Sequence, residues 1–109
     1  MGSISTEEVA FATDLFSGIG PLTTRKMMGG LCLYSDGTIF AIVHSEFGVM
    51  IKGAGAFKDE LDEMGLTRWT YQRDNAPKPT AMPYWKLPES ALDDPDEACA
   101  LARRALSHP

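Results

Sequence analysis

His44, Ser45 and Glu46 carry, in that order, the side-chain types of a general base, a nucleophile and an acid. Catalysis requires the nucleophile and the base to approach one another in the fold. Neighbouring residues of a strand point to opposite faces, so adjacency in the sequence does not bring these side chains together. We therefore interpret His44 as a turn residue. The second histidine, His108, is the penultimate residue, where chain ends fray.

Metal-ligand patterns are weak in this chain. A zinc site uses paired Cys or His ligands at short spacing, but Cys32 and Cys99 stand far apart, as do the two histidines. Acidic side chains form two clusters, which are Asp59, Glu60, Asp62, Glu63 and Asp93, Asp94, Asp96, Glu97. Helix chemistry explains both, because the first suits the solvated face of a short helix and the second suits a helix start. We expect neither a metal nor a cofactor.

Gly53-Ala54-Gly55 lies between a predicted strand and a predicted helix, where a dinucleotide fingerprint places its first two glycines. The third glycine would fall at position 58, which is Lys58. The neighbouring strands also suggest antiparallel hairpins rather than parallel units. A flexible turn is the simpler interpretation. Because no set of acid, base and nucleophile can be assembled, we predict a non-enzymatic protein.

The charge and length of the chain limit its partners. The 109 residues suffice for one domain, spanning 1–109, and 15 acidic against 10 basic residues give a formal charge of −5. Affinity for nucleic acid comes largely from Lys and Arg, so autonomous nucleic-acid binding is not expected. No apolar run approaches the roughly 20 residues that cross a bilayer, and no signal-peptide pattern opens the chain. We predict a cytoplasmic protein with free thiols and no membrane partner.

The elements that must position these residues form an α+β pattern. Apolar stripes and capping residues predict helices over 6–17 and 56–64, and a last helix that begins at Pro95 with Asp94 as its cap. Short apolar runs bounded by turn residues predict strands at 31–34, 39–43, 47–52, 68–73 and 81–87. The predicted fold class is α+β, a two-layer α/β arrangement with a five-stranded antiparallel sheet in the order α-βββ-α-ββ-α.

Local signals set the ends of several elements. Ser5 with Glu8 predicts a capping box at the first helix. Asp36-Gly37 tolerates the positive φ angles of a tight hairpin. Pro83 lies within the last predicted strand, where it predicts an edge position or a bulge because proline cannot donate to the sheet.

Both alternating sets of side chains in the first three predicted strands are apolar, although a sheet with helices on one face needs only one apolar set. The second face would carry Tyr34, Phe40, Ile42 and Met50, which is an apolar patch if nothing covers it. Two interpretations remain open. Either the C-terminal segment folds over this face, or the face contacts a second copy of the chain or another partner.

The stretch from Arg25 to Gly30 joins two cations to two flexible methionines and a glycine pair, which permits a bulge or a close backbone approach. We predict that an interaction surface is formed by Arg25, Lys26, Met27, Met28, Gly29 and Gly30. The alternative is structural. In that case Met27 packs in the core, Arg25 forms an ion pair and the glycines relieve crowding.

The same stretch resembles the signature of the TfoX/Sxy family, in its N-terminal domain. The residues that match in order are Arg25, Met27, Gly29, Gly30, Tyr34, Asp36 and Gly37. Later matches are Phe40-Ala41, Lys52, Met82-Pro83-Tyr84-Trp85, Pro88-Glu89 and the block from Ala102 to Leu106. The resemblance spans residues 10–107. Met28, Cys32 and Leu101 depart from the pattern, and the chain ends before the second domain of the full regulators.

The resemblance implies a fold similar to the secretion-chaperone-like architecture and a link to natural competence. Regulators of this family assist transcription together with the cyclic-AMP receptor protein. The resemblance therefore implies a protein partner, either a transcription factor or a polymerase component, and we also expect that the chain can form a homodimer.

A different interpretation rests on the aromatic residues. Trp69, Tyr71, Tyr84 and Trp85 lie at strand spacing and would line the pocket of a small-ligand-binding domain. The ligand would be apolar or nucleotide-like.

Overall fold

The computed structural model describes residues 5–27, 30–71, 77–78 and 80–108, and for Met27 and Tyr71 it describes only the backbone. The helices are α1 (Thr6–Leu15), α2 (Ala56–Glu63), α3 (Glu89–Leu92) and α4 (Pro95–Ser107), with a 3-10 turn at Ser17–Ile19. The strands are β1 (Leu22–Met27), β2 (Gly30–Ser35), β3 (Thr38–His44), β4 (Gly48–Lys52), β5 (Arg68–Tyr71) and β6 (Thr80–Lys86). The α+β class with an antiparallel sheet is confirmed.

The described residues form a sheet of six strands in the order β1-β2-β3-β4-β6-β5, and every pair is antiparallel. The predicted number of five strands is therefore corrected to six, and the order becomes α-ββββ-α-ββ-αα. The sequence missed β1 because four of its side chains in a row, from Thr23 to Lys26, are exposed at the sheet edge and show no apolar alternation. It missed α3 because four residues are too few for a periodic signal. The predicted strand 68–73 is observed as β5 over Arg68–Tyr71, and residues 72 and 73 lie outside the described residues.

The predicted local signals at the element ends are confirmed. The amide of Glu8 donates to Ser5 Oγ and the amide of Ser5 donates to Glu8 Oε1, each over 3.1 Å, which completes the capping box. The side chain of Asp94 accepts from two amides in the first turn of α4. Asp36 and Gly37 have φ angles of 51° and 80°, as a tight hairpin between β2 and β3 requires.

One face of the sheet, here called the helix side, packs against all four helices. The rings of Phe16 after α1 and Phe40 in β3 meet edge to face, with centroids 5.2 Å apart. Trp85 in β6 is fully buried, and its Nε1 donates to Asp62 Oδ1 in α2 over 2.9 Å. A Cβ on Gly53 would lie 2.5 Å from Trp85 Cζ3, so a glycine is needed where the chain enters α2. Burial of each such large side chain contributes about 1.5–3 kcal/mol.

A β-bulge in β3 decides the direction of Phe40. Leu33 pairs with Ala41 but Tyr34 pairs with Ile39, so Phe40 is the extra residue between two pairs. Phe40 and Ala41 therefore both point to the helix side, whereas Ile39 points to the opposite face. The prediction that Phe40 belongs to the second face is wrong, because strict alternation makes no allowance for an inserted residue.

The opposite face, here called the outer face, is closed within the chain. Its buried residues form the outer cluster, which consists of Cys32, Ile42, Met50, Trp69 and Tyr84, with Tyr34, Ile39 and Met82 partly buried around it. Ile42 and Met50 are 0% exposed, so they offer no open apolar patch. The residues of α4 pack into the core of the helix side, so the interpretation in which the C-terminal segment covers the outer face is also wrong.

Curvature of the sheet closes the outer face. β3 and β5 are three positions apart, which corresponds to about 14 Å in a flat sheet. The rings of His44 at the end of β3 and Trp69 in β5 nevertheless have centroids only 5.4 Å apart. Trp69 also packs against Phe47 and Tyr84, with centroids at 5.9 and 6.1 Å. The β5–β6 hairpin therefore bends towards β3 and places Trp69 over the outer face.

Pro83 lies in a bulge of β6. Arg68 pairs with Trp85 and Thr70 pairs with Ala81, so two steps along β5 oppose four steps along β6. Because β6 lies between β4 and β5, the bulge accommodates the proline in the interior of the sheet. The predicted bulge is confirmed.

Candidate functional site

Arg25 and Lys26 lie on the edge strand β1 and point to opposite faces of the sheet. Arg25 pairs with Cys32 of the outer cluster, and Lys26 pairs with Leu31 of the helix side. Directly paired residues share a face, so the two cations flank the edge rather than form one patch. Both side chains are exposed, and the described residues provide neither with an ion-pair partner.

Gly30 has a structural role at the start of β2. A Cβ added there would lie 2.4 Å from the carbonyl oxygen of Val43. A shift of a few tenths of an ångström in the neighbouring backbone would not relieve this clash. Glycine is therefore required for the close approach of β2 and β3. Met28, Gly29 and the side chain of Met27 lie outside the described residues. Of the predicted surface, the side chains of Arg25 and Lys26 are thus exposed, and Gly30 is buried.

A groove lies beside these cations. Its lining residues are Thr23, Thr24, Arg25, Tyr34 and Gly37. The guanidinium of Arg25 contributes positive charge, and the hydroxyl groups contribute donors and acceptors. Since β1 is exposed along this groove, an extended anionic group has access to it.

Two weakly acidic groups of the outer cluster are buried, and one of them lies near Arg25. Burial raises the pKa of the Cys32 thiol, and the Arg25 guanidinium partly offsets this. Burial, together with the smaller effects of charges on Cys32 and Tyr34, raises the pKa of Tyr84 to about 12. Because the thiolate is the nucleophilic form, the raised pKa leaves Cys32 unreactive. Sequence reasoning did not group these residues, since pairing across a sheet leaves no local pattern.

His44 ends β3, and its side chain holds the turn that follows. Its Nδ1 accepts a hydrogen bond from the amide of Glu46 over 3.0 Å, and its ring packs against Trp69 and Phe47. The interpretation of His44 as a turn residue is therefore corrected, because His44 is the last strand residue and its side chain supports the turn over residues 45–47. The nitrogen that would act on a neighbouring hydroxyl is thus engaged with the backbone.

The predicted aromatic pocket does not form as a set of four. Trp85 belongs to the helix side, whereas Trp69 and Tyr84 belong to the outer cluster. Adjacent residues of β6 point to opposite faces, so Tyr84 and Trp85 cannot line one pocket. The side chain of Tyr71 lies outside the described residues.

Sequence reasoning also missed two buried polar atoms near His44. Trp69 Nε1 and Ser45 Oγ are buried, and neither has a hydrogen-bond partner within the described part of the chain. An unpaired buried donor costs about 1–3 kcal/mol, so such an atom requires an explanation. No sequence pattern marks it, because the partner of an indole N–H is set by tertiary packing.

The described residues lack two features. They contain no group of three or more His, Cys, Asp or Glu side chains arranged to hold a metal ion. They also contain no helix with the length and apolar character of a membrane span.

A layer of helices covers one face of the six-stranded antiparallel sheet, and the edge strand β1 is cationic. This arrangement defines a small two-layer α+β domain. The family model of the TfoX N-terminal domain matches residues 14–108. The chain therefore belongs to the TfoX N-terminal domain family, as the resemblance in the sequence implied. No curated protein matches the chain.

Proposed function

We propose that this chain is a non-enzymatic regulatory module that docks on a protein partner through the β1 edge. The observation that supports this most is the exposure of Arg25 and Lys26, which have no ion-pair partner among the described residues. The chain as a whole carries a formal charge of −5, whereas β1 has two neighbouring cations and no acidic residue, so this strand is locally positive. Such local charge favours an anionic partner surface and sets its orientation.

The non-enzymatic part of the proposal is supported by the chemistry of the titratable groups. Burial raises the pKa of the Cys32 thiol, so the thiol stays protonated at neutral pH. His44 uses Nδ1 to accept from the backbone of the turn. Neither group is prepared for nucleophilic or acid–base work.

The regulatory part rests on family membership and on charge. The family resemblance links the domain to transcription regulators of natural competence, so we propose a transcription factor or a polymerase component as the partner. With 15 acidic and 10 basic residues, we expect contact with nucleic acid only through that partner. Cys32 and Cys99 are free and buried, which is consistent with the reducing cytoplasm that we propose as its compartment.

The test is a pull-down with the tagged chain from a lysate of the source cells, with and without nuclease, read by mass spectrometry. We expect a transcription factor or polymerase component that resists nuclease and is lost with the Arg25→Glu and Lys26→Glu variants. Lys58→Glu, which makes the same charge change on the exposed surface of α2, is the matched control. Equal capture by all variants would remove the β1 edge from the proposal, and capture of the bait alone would overturn the regulatory function.

A small-ligand-binding function is a second candidate, supported by the buried and, among the described residues, unpartnered Nε1 of Trp69. A ligand that offers an acceptor there would raise the melting temperature of the native chain, because it binds the folded state. Trp69→Phe keeps an aromatic ring and removes the donor. Ligand-dependent stabilisation that this variant abolishes would favour the second candidate, and its absence across a metabolite library would exclude it.

A further inference from the structure

The β1 edge has the geometry of a strand-addition site. β1 is the first strand in the sheet order, and within the described part of the chain it pairs only with β2, so none of the described residues pairs with its other edge. The side chains from Thr23 to Lys26 are exposed along that edge. Open edges present unpaired N–H and C=O groups, which bind extended peptides by adding a strand to the sheet.

The positions of the two cations define which side chains an added strand needs. In paired strands, directly opposite residues share a face and their Cβ atoms are about 4.5–5.5 Å apart. Arg25 points to the outer face and Lys26 to the helix side. Two consecutive residues of an added strand also point to opposite faces, so a pair of neighbouring acidic residues would meet both cations at once.

We propose that the β1 edge binds an extended protein segment containing two consecutive acidic residues, which adds to the six-stranded sheet as a seventh strand. This inference rests on the proposed function and specifies the chemistry of its partner. The groove beside Arg25, which is lined also by Thr23 and Tyr34, receives the side chains that the added strand turns to the outer face.

A second copy of this chain fits the edge less well. β1 contains no acidic residue, so pairing of two β1 edges would bring the cations of both copies to one seam. Like charges in directly opposite positions destabilise a strand pair. Cations on an edge strand also protect against such self-pairing, which explains why the edge stays free for a different partner.

The test uses the full chain, labelled with nitrogen-15, and three blocked peptides, TVEEVT, TEVEVT and TVQQVT. The first two have the same composition and charge, but only TVEEVT places its acids on opposite faces of a strand. We expect TVEEVT to bind about tenfold more tightly than TVQQVT, because two partly exposed ion pairs are lost in the latter. We also expect TVEEVT to bind severalfold more tightly than TEVEVT, which can offer an acid to only one of the two cations.

Two further readouts identify the binding mode. Every second amide of β1 should exchange more slowly with solvent when TVEEVT is bound, because a new strand pairs with alternate residues. Arg25→Glu and Lys26→Glu should each weaken binding of TVEEVT about tenfold, whereas Lys58→Glu should leave it unchanged.

Equal affinity for TVEEVT and TEVEVT, shifts located away from β1, or no binding of any peptide would each overturn strand addition. These failures differ from failure of the proposed function. If the lysate yields a nuclease-resistant partner while no peptide binds, that result would support the interaction module and overturn only strand addition as its binding mode. If the chain alone sediments as a dimer, and Arg25→Glu stabilises that dimer, then the partner at the β1 edge is a second copy of the chain.

Discussion

The indole Nε1 of Trp85 in β6 donates a hydrogen bond over 2.9 Å to Asp62 Oδ1 in α2. The ring is fully buried, but the carboxylate belongs to an exposed residue. Asp62 belongs to the acidic cluster that the sequence predicts on the solvated face of a helix. Its carboxylate nevertheless accepts a hydrogen bond from a side chain in the core. It satisfies the one polar atom that the largest side chain on the helix side carries.

Replacement of Asp62 should therefore cost more than replacement of its neighbours. We expect Asp62→Ala to lower the free energy of unfolding by about 1 kcal/mol, because the indole N–H loses its acceptor. Urea denaturation followed by tryptophan fluorescence measures this. Glu63→Ala, at an exposed position of the same helix, is the control and should change stability by less than about 0.5 kcal/mol. Equal losses for both variants would mean that water replaces the carboxylate without cost.

Burial of the outer face predicts the behaviour of a charge placed there. Met50→Asp should unfold the chain, because an unpaired carboxylate would be buried at a position with 0% exposure. Met64→Asp, at a side chain that is 48% exposed, should leave the fold intact. Circular dichroism and size-exclusion chromatography distinguish the outcomes. A folded Met50→Asp monomer derived from a wild-type dimer would instead show that the outer face is an interface.

Alkaline pH should destabilise the chain through Tyr84. Burial raises its pKa from 10.0 to about 12, so the folded state favours the neutral phenol. The resulting stabilisation is complete below pH 10 and is lost as the pH rises through about 12. We expect the wild type to lose up to about 2 kcal/mol more than Tyr84→Phe across this range. Cys32 is present in both proteins, so the difference in urea midpoints isolates Tyr84, and parallel curves would contradict the assignment.

Gly30 should tolerate no side chain. We expect Gly30→Ala to lower the free energy of unfolding by about 1–3 kcal/mol, because the new Cβ would lie against the backbone carbonyl of Val43 and force β2 from β3. Gly18→Ala is the matched control, since its Cβ would meet the Cys99 sulfur at 3.2 Å and that side chain can move. Thermal unfolding of both variants measures the difference, and an equally small loss would show that β2 shifts without cost.

What the sequence could predict depends on how far each signal reaches along the chain. The capping box at Ser5 and the hairpin at Asp36-Gly37 are complete within a few residues, and both were predicted. The single-residue bulge in β3 moved Phe40 from the predicted second face to the helix side, and no pattern in the sequence marks it. The edge strand β1 has exposed side chains from Thr23 to Lys26, whereas periodicity detects only burial.

The candidate site was predicted in part for the same reason. Arg25 and Lys26 were identified as a cationic pair, but their separation onto two faces follows from a strand that the sequence did not predict. The proximity of Cys32 and Tyr34 to Arg25 depends on the pairing of β1 with β2, and the proximity of Tyr84 to Cys32 and Tyr34 depends on the curvature of the sheet. Such contacts join residues far apart in the chain, and composition and spacing contain no record of them.

The strand order has a consequence for the folding pathway. β1 to β4 pair consecutively through short connections, whereas β5 and β6 join them through β6 against β4 and through packing contacts such as that of Trp69 with His44. Closing short loops costs less entropy, so we expect the four-stranded meander to form the folding nucleus and the hairpin to dock afterwards. In stopped-flow experiments, Leu33→Ala should slow refolding, whereas Trp69→Ala should mainly accelerate unfolding. The hairpin that closes the outer face is then also the part of the molecule that opens first.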